Sequence, residues 1–209
     1  MELLKNLKWR YATKQFDSTR KVSLRDIDRL KEAVQLSVSS YGLQLYKIII
    51  LENEELREKL KPASWGQNQV TDASHVFVFC NYTKIEDKHI DNYLELTAEA
   101  QGISIDSLNG YGDFIKGKIQ EMEITEQENW TRRQTYLALG NLLNACAELR
   151  IDACPMEGFE PEKYNQILEL SKQNLNAAII APIGYRSKND ETQYRPKVRK
   201  SLTELFEKQ

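Results

Sequence analysis

The sequence predicts a mixed α and β domain, with helices packed on both faces of a small sheet. Three observations carry this. Residues 46–51, 75–80 and 177–184 are apolar runs of strand length. The second, His75-Val-Phe-Val-Phe-Cys80, is apolar without alternation, as expected of a strand covered on both sides. Segments with helical spacing flank these runs. The richest, Thr131–Leu149, is apolar almost all round through Tyr136, Leu137, Leu139, Leu142, Leu143, Ala145 and Cys146, which predicts burial in a core or a subunit interface.

Taken in order, the elements have local causes. Ser23 with Asp26 three residues on is a helix start, and Ile27, Leu30, Ala33 and Val34 follow at helical spacing. That helix should stop near Ser37, before a loop to Gly42. Strand 46–51 is followed by a short charged helix over 53–61 and a polar loop from Pro62 to Thr71. After strand 75–80, residues 86–103 and 111–124 read as two more polar helices, with Gly110 and Gly112 bracketing the break. Ile151–Pro155 leads into a loop at Met156–Phe159. Residues 160–171 form a helix with Pro161 in its first turn, and strand 177–184 precedes a polar tail that is briefly helical at its end.

Composition narrows the function classes. A length of 209 residues suits one domain over 1–209, or one subunit of an intertwined oligomer. The apolar share of 41% is slightly lean for a self-contained core and too rich for a disordered chain. The spare apolar helix surface favours a homodimer. Lys+Arg of 29 against Asp+Glu of 31 argues against a nucleic-acid partner. No apolar run approaches ~18 residues, so no membrane partner is expected, and the N-terminus does not read as a signal peptide. Cys80, Cys146 and Cys154 are odd in number, widely spaced and set in apolar stretches, which points to a cytoplasmic chain with buried thiols. With two histidines and no Cys-x-x-Cys, no metal site is expected. Gly-x-Gly-x-x-Gly, Walker and Gly-x-Ser-x-Gly motifs are absent, and the carboxylate pairs Glu54/Glu55 and Glu121/Glu123 read as solvated helix charges.

Positive charge at the two ends remains. Arg10-Tyr-Ala-Thr-Lys14-Gln-Phe16 and Tyr194-Arg-Pro-Lys197-Val-Arg199-Lys200 are basic clusters in irregular segments. They are either two solvated patches or, if the fold joins them, a grip for one small, multiply charged anion such as a phosphate monoester.

At these residues the sequence resembles the FMN-dependent nitroreductase family, and within it the oxygen-insensitive NAD(P)H nitroreductase and dihydropteridine reductase branch. Six segments carry the likeness in order: Arg10 to Phe16; Ser37-Val-Ser39-Ser40 with Gln44; Trp65-Gly-Gln-x-Gln69 through Asp72-Ala-Ser74-His75; Gln134-x-Tyr136-Leu with Gly140-Asn141; Pro155-Met-Glu157-Gly158-Phe; and Pro182-x-Gly184 with Pro196-Lys197-x-Arg199. The resemblance implies an α+β fold with a small, mostly antiparallel sheet flanked by helices, in an intertwined homodimer with FMN at each of two interface sites. It implies that Arg10, Lys197 and Arg199 bind the phosphate and that Lys14 lies by the flavin N1/O2 edge, where a cation favours the anionic reduced form. Tyr11, Ala12 and Gln69 fall among the cofactor-binding positions. Ser39 and Ser40 would come from the partner, Glu157 and Gly158 would offer backbone groups near flavin N5, and Pro155 would form part of the wall. Gln134 would meet the ribityl chain or the partner, or simply pack; Gly140 reads as a close helix approach. Phe114 is a substrate-side candidate, although an ordinary buried Phe is the plainer reading.

The implied activity is ping-pong hydride transfer from NADH or NADPH to a flat, electron-poor acceptor such as a nitroaromatic or quinone, with no catalytic side chain, because the cofactor carries the chemistry. The sequence departs from the family pattern at Gly42, Gly66 and Ala12, which removes donors worth about 0.5–1.5 kcal/mol each and predicts weaker FMN binding or a shifted potential. A flavin-binding protein without turnover, and an interaction module with solvated basic ends, are the alternatives.

Overall fold

The computed structural model describes all 209 residues, Met1–Gln209. Four strands, β1 (Tyr46–Leu51), β2 (His75–Tyr82), β3 (Asp152–Ala153) and β4 (Leu175–Gly184), form one sheet in the order β1-β2-β4-β3, with every strand pair antiparallel. Nine helices surround it: α1 (Glu2–Trp9), α2 (Leu24–Gln35), α3 (Glu54–Ala63), α4 (Gln69–Asp72), α5 (Asp87–Gln101), α6 (Asn109–Gln120), α7 (Ile124–Glu148), α8 (Pro161–Ile167) and α9 (Leu202–Leu205).

The unbroken apolar run of β2 has the expected cause. Val76, Val78 and Cys80 face α3, α4 and α8 in one core, together with Leu60, Val70 and Tyr164. Phe77 and Phe79 face the other way, into a second core with Leu30 and Val34 of α2 and Leu139, Leu142 and Cys146 of α7. A register shift between Phe79 and Cys80 lets Ala177 share a face with Ile180, while Ile179, Ala181 and Ile183 join the α2/α7 core. A smaller cluster, built on Ile90, Leu94, Ile115 and Ile119, joins α5 to α6.

Helix α2 starts as expected, its Ser23 side chain accepting from the Asp26 N–H. Elsewhere the boundaries move. Helix α1 carries no sequence signal of burial, because only Asn6 is buried on it. The break near residue 110 lies earlier: Gly102 (φ 64) ends α5 in the left-handed conformation, and both Gly110 and Gly112 sit inside α6. Helix α7 begins seven residues before its apolar stretch, on a Glu123/Glu126 capping box. Nor is it buried all round. Ala138, Leu139, Leu142 and Cys146 face the sheet, whereas Tyr136 and Leu137 are 37% and 47% exposed. A Cβ on Gly140 would meet nothing within 4 Å, so the close approach expected there is not made within the chain. Phe114 is 51% exposed, against the plainer reading of a buried Phe.

Three cysteines are buried and free, and burial pushes their thiols up, Cys80 to about 12. A line runs from buried Ser74 Oγ to His75 Nδ1 (2.8 Å) and from His75 Nε2 to exposed Glu52 Oε1 (2.5 Å). It has the ingredients of a hydrolytic triad, but Ser74 is 3% exposed and its Oγ accepts from the Val22 N–H. It pins β1, β2 and the approach to α2 rather than facing a substrate.

Candidate active site

The fold brings the two basic ends together. Arg10, Tyr11 and Ala12 line one wall of a recess of about 360 Å³, and Thr192, Arg195, Pro196, Lys197 and Arg199 line the other. Arg10 is the cap residue of α1, so the helix end fixes where its side chain starts. Lys197 Nζ reaches across and donates to the backbone carbonyls of Leu7 (2.7 Å) and Arg10. The lining holds four cations and no carboxylate. Burial and then Arg199 lower the Arg10 pKa; burial, Arg10 and Arg199 lower that of Lys197. Like charges gathered without a counterion are an anion site in wait, and the donor set of two or three guanidinium forks with one ammonium suits a phosphate monoester.

The residue that ties the two walls of this recess together carries no motif. Asp190 is 1% exposed and lies in the polar stretch before the second basic cluster. Its Oδ2 accepts from the Tyr11 hydroxyl (2.9 Å), the Lys14 N–H (2.8 Å) and the Gln15 N–H (3.2 Å), and its Oδ1 from the Thr192 N–H (3.0 Å). Burial alone would push this carboxyl up, but the Lys14, Gln15, Tyr11 and Thr192 donors outweigh it and hold the group below its ordinary range. A depressed folded value means a stabilisation present above the unfolded carboxyl range and lost as pH falls through the folded value. The wild type should therefore lose more of its urea midpoint between about pH 5 and pH 2 than Asp190→Asn does. Equal losses would remove Asp190 from the acid side of the stability profile.

The remaining predicted residues form a second surface beside the first. Ala12 bridges Ala153 in parallel, and the Thr13 N–H points at the Ala153 carbonyl (3.4 Å), which carries the recess directly to the Pro155–Phe159 loop. Met156 pairs with Ile180, which fixes that loop to the sheet edge. Exposed Glu157 accepts from the Tyr136 hydroxyl (2.5 Å), and the Gly158 carbonyl accepts from Gln67 Nε2 (2.8 Å). The Trp65 ring lies against Gly158 so closely that a Cβ there would stand 2.9 Å from it. Pro155 is half-buried beside them, and Lys14 is exposed. Gln69 is buried at the start of α4.

Ser39 and Ser40 do not join these surfaces by their own side chains. The Ser40 N–H donates to Gln134 Oε1 (2.9 Å) and Ser39 Oγ accepts from the Gln44 N–H (2.9 Å). Gln134 is buried and also donates to the Trp130 carbonyl (3.2 Å), so within this chain it ties the serine loop to α7. Tyr41, in the same loop, meets Phe114 and Trp130 edge-on at 6.4 and 6.2 Å. Two departures from the family pattern have a backbone cause: Gly42 (φ 76) and Gly66 (φ 72) both take left-handed conformations, each following a residue that is also left-handed, Tyr41 and Trp65.

A model of the nitroreductase family matches residues 7–185. A Bacillus subtilis protein provisionally named NAD(P)H nitroreductase YfkO is 32% identical, over 98% of this chain and 96% of its own. A Bacillus subtilis structure provisionally named as the nitroreductase ydfN superposes with a TM-score of 0.89 at 20% identity, covering 100% of this chain and 99% of that one. A structure from Exiguobacterium sibiricum, solved in complex with FMN, superposes at 0.85 with 19% identity, covering 100% and 98%. At such identities the two structures speak for the fold.

Proposed function

The chain belongs to the nitroreductase family, and from that premise we propose that it is an FMN-dependent oxidoreductase. In this reading it takes hydride from NADH or NADPH and reduces a flat, electron-poor acceptor such as a nitroaromatic or quinone, in two successive half-reactions. The observation that carries the reading is the recess with Arg10, Arg195, Lys197 and Arg199 on its walls and no acid among them. FMN, when bound, supplies the hydride chemistry itself. The chain's own residues bind and orient. Arg10, Lys197 and Arg199 hold the phosphate, with Tyr11 and Ala12 forming the wall between them. Lys14 brings positive charge to the ring edge. The Pro155–Gly158 loop, braced by Tyr136 and Gln67, presents backbone groups to the ring and keeps water from its face.

The same reading makes the chain, 1–209, one subunit of a homodimer, with Ser39, Ser40, Gln134 and Phe114 facing the partner's cofactor. Unpartnered apolar surface supports it: Leu137 on α7, open space at Gly140, and a tail whose Val198, Leu202, Leu205 and Phe206 are 61–84% exposed. A groove between α2 and the outer edge of β1, lined by Val34, Ile48 and Ile50, offers such a tail a seat on a second copy.

The purified protein should be yellow, absorb near ~450 nm, and bleach under NADH or NADPH without oxygen. A colourless protein that gains no such absorbance with added FMN overturns the proposal. Bound FMN that neither nucleotide bleaches would move the chain to a flavin binder without turnover.

A further inference from the structure

We infer that Asp190 is the positioning residue of the phosphate site: by drawing the loop after α1 against the turn before the C-terminal cluster, it holds Arg10 within reach of the anion that Lys197 and Arg199 also face. The inference rests on the FMN reading above. Asp190 touches none of the cations by its side chain; it acts through backbone and through Tyr11. Its two oxygens take four donors from two segments separated by 176 residues at Lys14 and 179 at Tyr11. It also accepts at the N-terminus of the short turn Glu191–Tyr194, the last ordered turn before Arg195, Lys197 and Arg199.

Lys197 also spans the recess walls, through the Leu7 and Arg10 carbonyls, but Asp190 joins them with a buried carboxylate that takes four donors. The neighbouring pairings, the Asp17 N–H to the Tyr185 carbonyl (2.8 Å) and the Ser187 N–H to the Gln15 carbonyl (2.9 Å), run alongside it through backbone groups alone. Tyr11 is held in turn by the Arg186 guanidinium, 4.6 Å from its ring, and Arg186 is fixed by Asp152, its Nε donating to Oδ1 at 2.8 Å. The Tyr11 hydroxyl is thus presented to Asp190 at a set place. A carboxylate accepts three donors on one oxygen and one on the other; an amide of the same shape cannot, because its NH2 must face a donor whichever way it turns.

The test compares FMN with riboflavin, which lacks the phosphate, by fluorescence titration of the full-length apoprotein. Asp190→Asn should weaken FMN by about tenfold or more, and riboflavin by less than about twofold. Tyr11→Phe removes one donor and leaves the carboxylate, and should weaken FMN a few-fold with the same selectivity; it carries the test if Asp190→Asn fails to fold. Equal weakening of both flavins makes Asp190 a general structural residue and overturns the inference, as does no weakening of either. A wild type that binds FMN no more tightly than riboflavin would instead remove the phosphate site, and with it the functional reading.

Discussion

Replacing both Arg10 and Arg199 with alanine should strip the protein of FMN, with a loss of affinity on the order of a thousandfold. Each guanidinium offers a charge-assisted contact worth about 1.5–3 kcal/mol to a phosphate, which is roughly 10- to 150-fold per residue. The two losses should not simply add. On top of burial, Arg199 lowers the pKa of Arg10, and Arg10 and Arg199 lower that of Lys197, so removing one cation relieves the others in part and lets them bind the anion better. For the same reason the apoprotein should melt no lower, and slightly higher at low salt, because an unbalanced cluster of like charge has been diluted. The measurement is a flavin-fluorescence titration alongside thermal melting of the apoprotein. FMN held within threefold of the wild type by the double variant would show that the recess is not where the phosphate sits.

Phe79→Ala should cost about 3–5 kcal/mol of stability and lower the melting temperature by roughly 10 °C. Phe79 is fully buried in β2, second in the sheet and paired on both sides, and its ring lies in the core shared with α2 and α7. The cavity cannot close easily, because β1 and β4 hold the backbone in register on either side. Flavin affinity measured below the melting transition should be almost unchanged, since Phe79 lies away from the recess. A loss under ~1 kcal/mol would mean that the sheet face tolerates collapse and is not packed as described.

The two predictions draw on parts of the molecule that were unequally legible in sequence. Strands β2 and β4 announce themselves, because burial on both faces leaves Val, Ile and Phe no freedom to alternate with polar residues. Helix α1 does not, since Leu3 and Leu4 are about half exposed and nothing periodic turns inward. The first turns of α7 hide in Glu126–Trp130, a polar stretch whose helicity is set by its capping box and by buried Gln127 rather than by an apolar stripe. Gly110 and Gly112 mislead because a glycine inside a helix can be tolerated for space; a Cβ on Gly112 would stand 2.6 Å from Leu94. Of the site, the motif residues were visible through family likeness, while their convergence was not a property of any local pattern. Asp190 was invisible for a physical reason. A carboxylate in a run of Ser, Lys and Asn reads as solvated, and only the three-dimensional meeting of the chain ends makes it the most heavily bonded acid beside the recess.

That meeting has a consequence for how the protein comes to exist. A ribosome adding ~5–20 residues per second needs roughly 10–35 s to cover the 176 positions between Lys14 and Asp190. The β1–β2 hairpin can pair early, but β2 must wait for β4. Through that interval the nascent chain carries the Tyr11–Gln15 segment without its Asp190 partner, and the walls of the recess meet only once that partner has emerged.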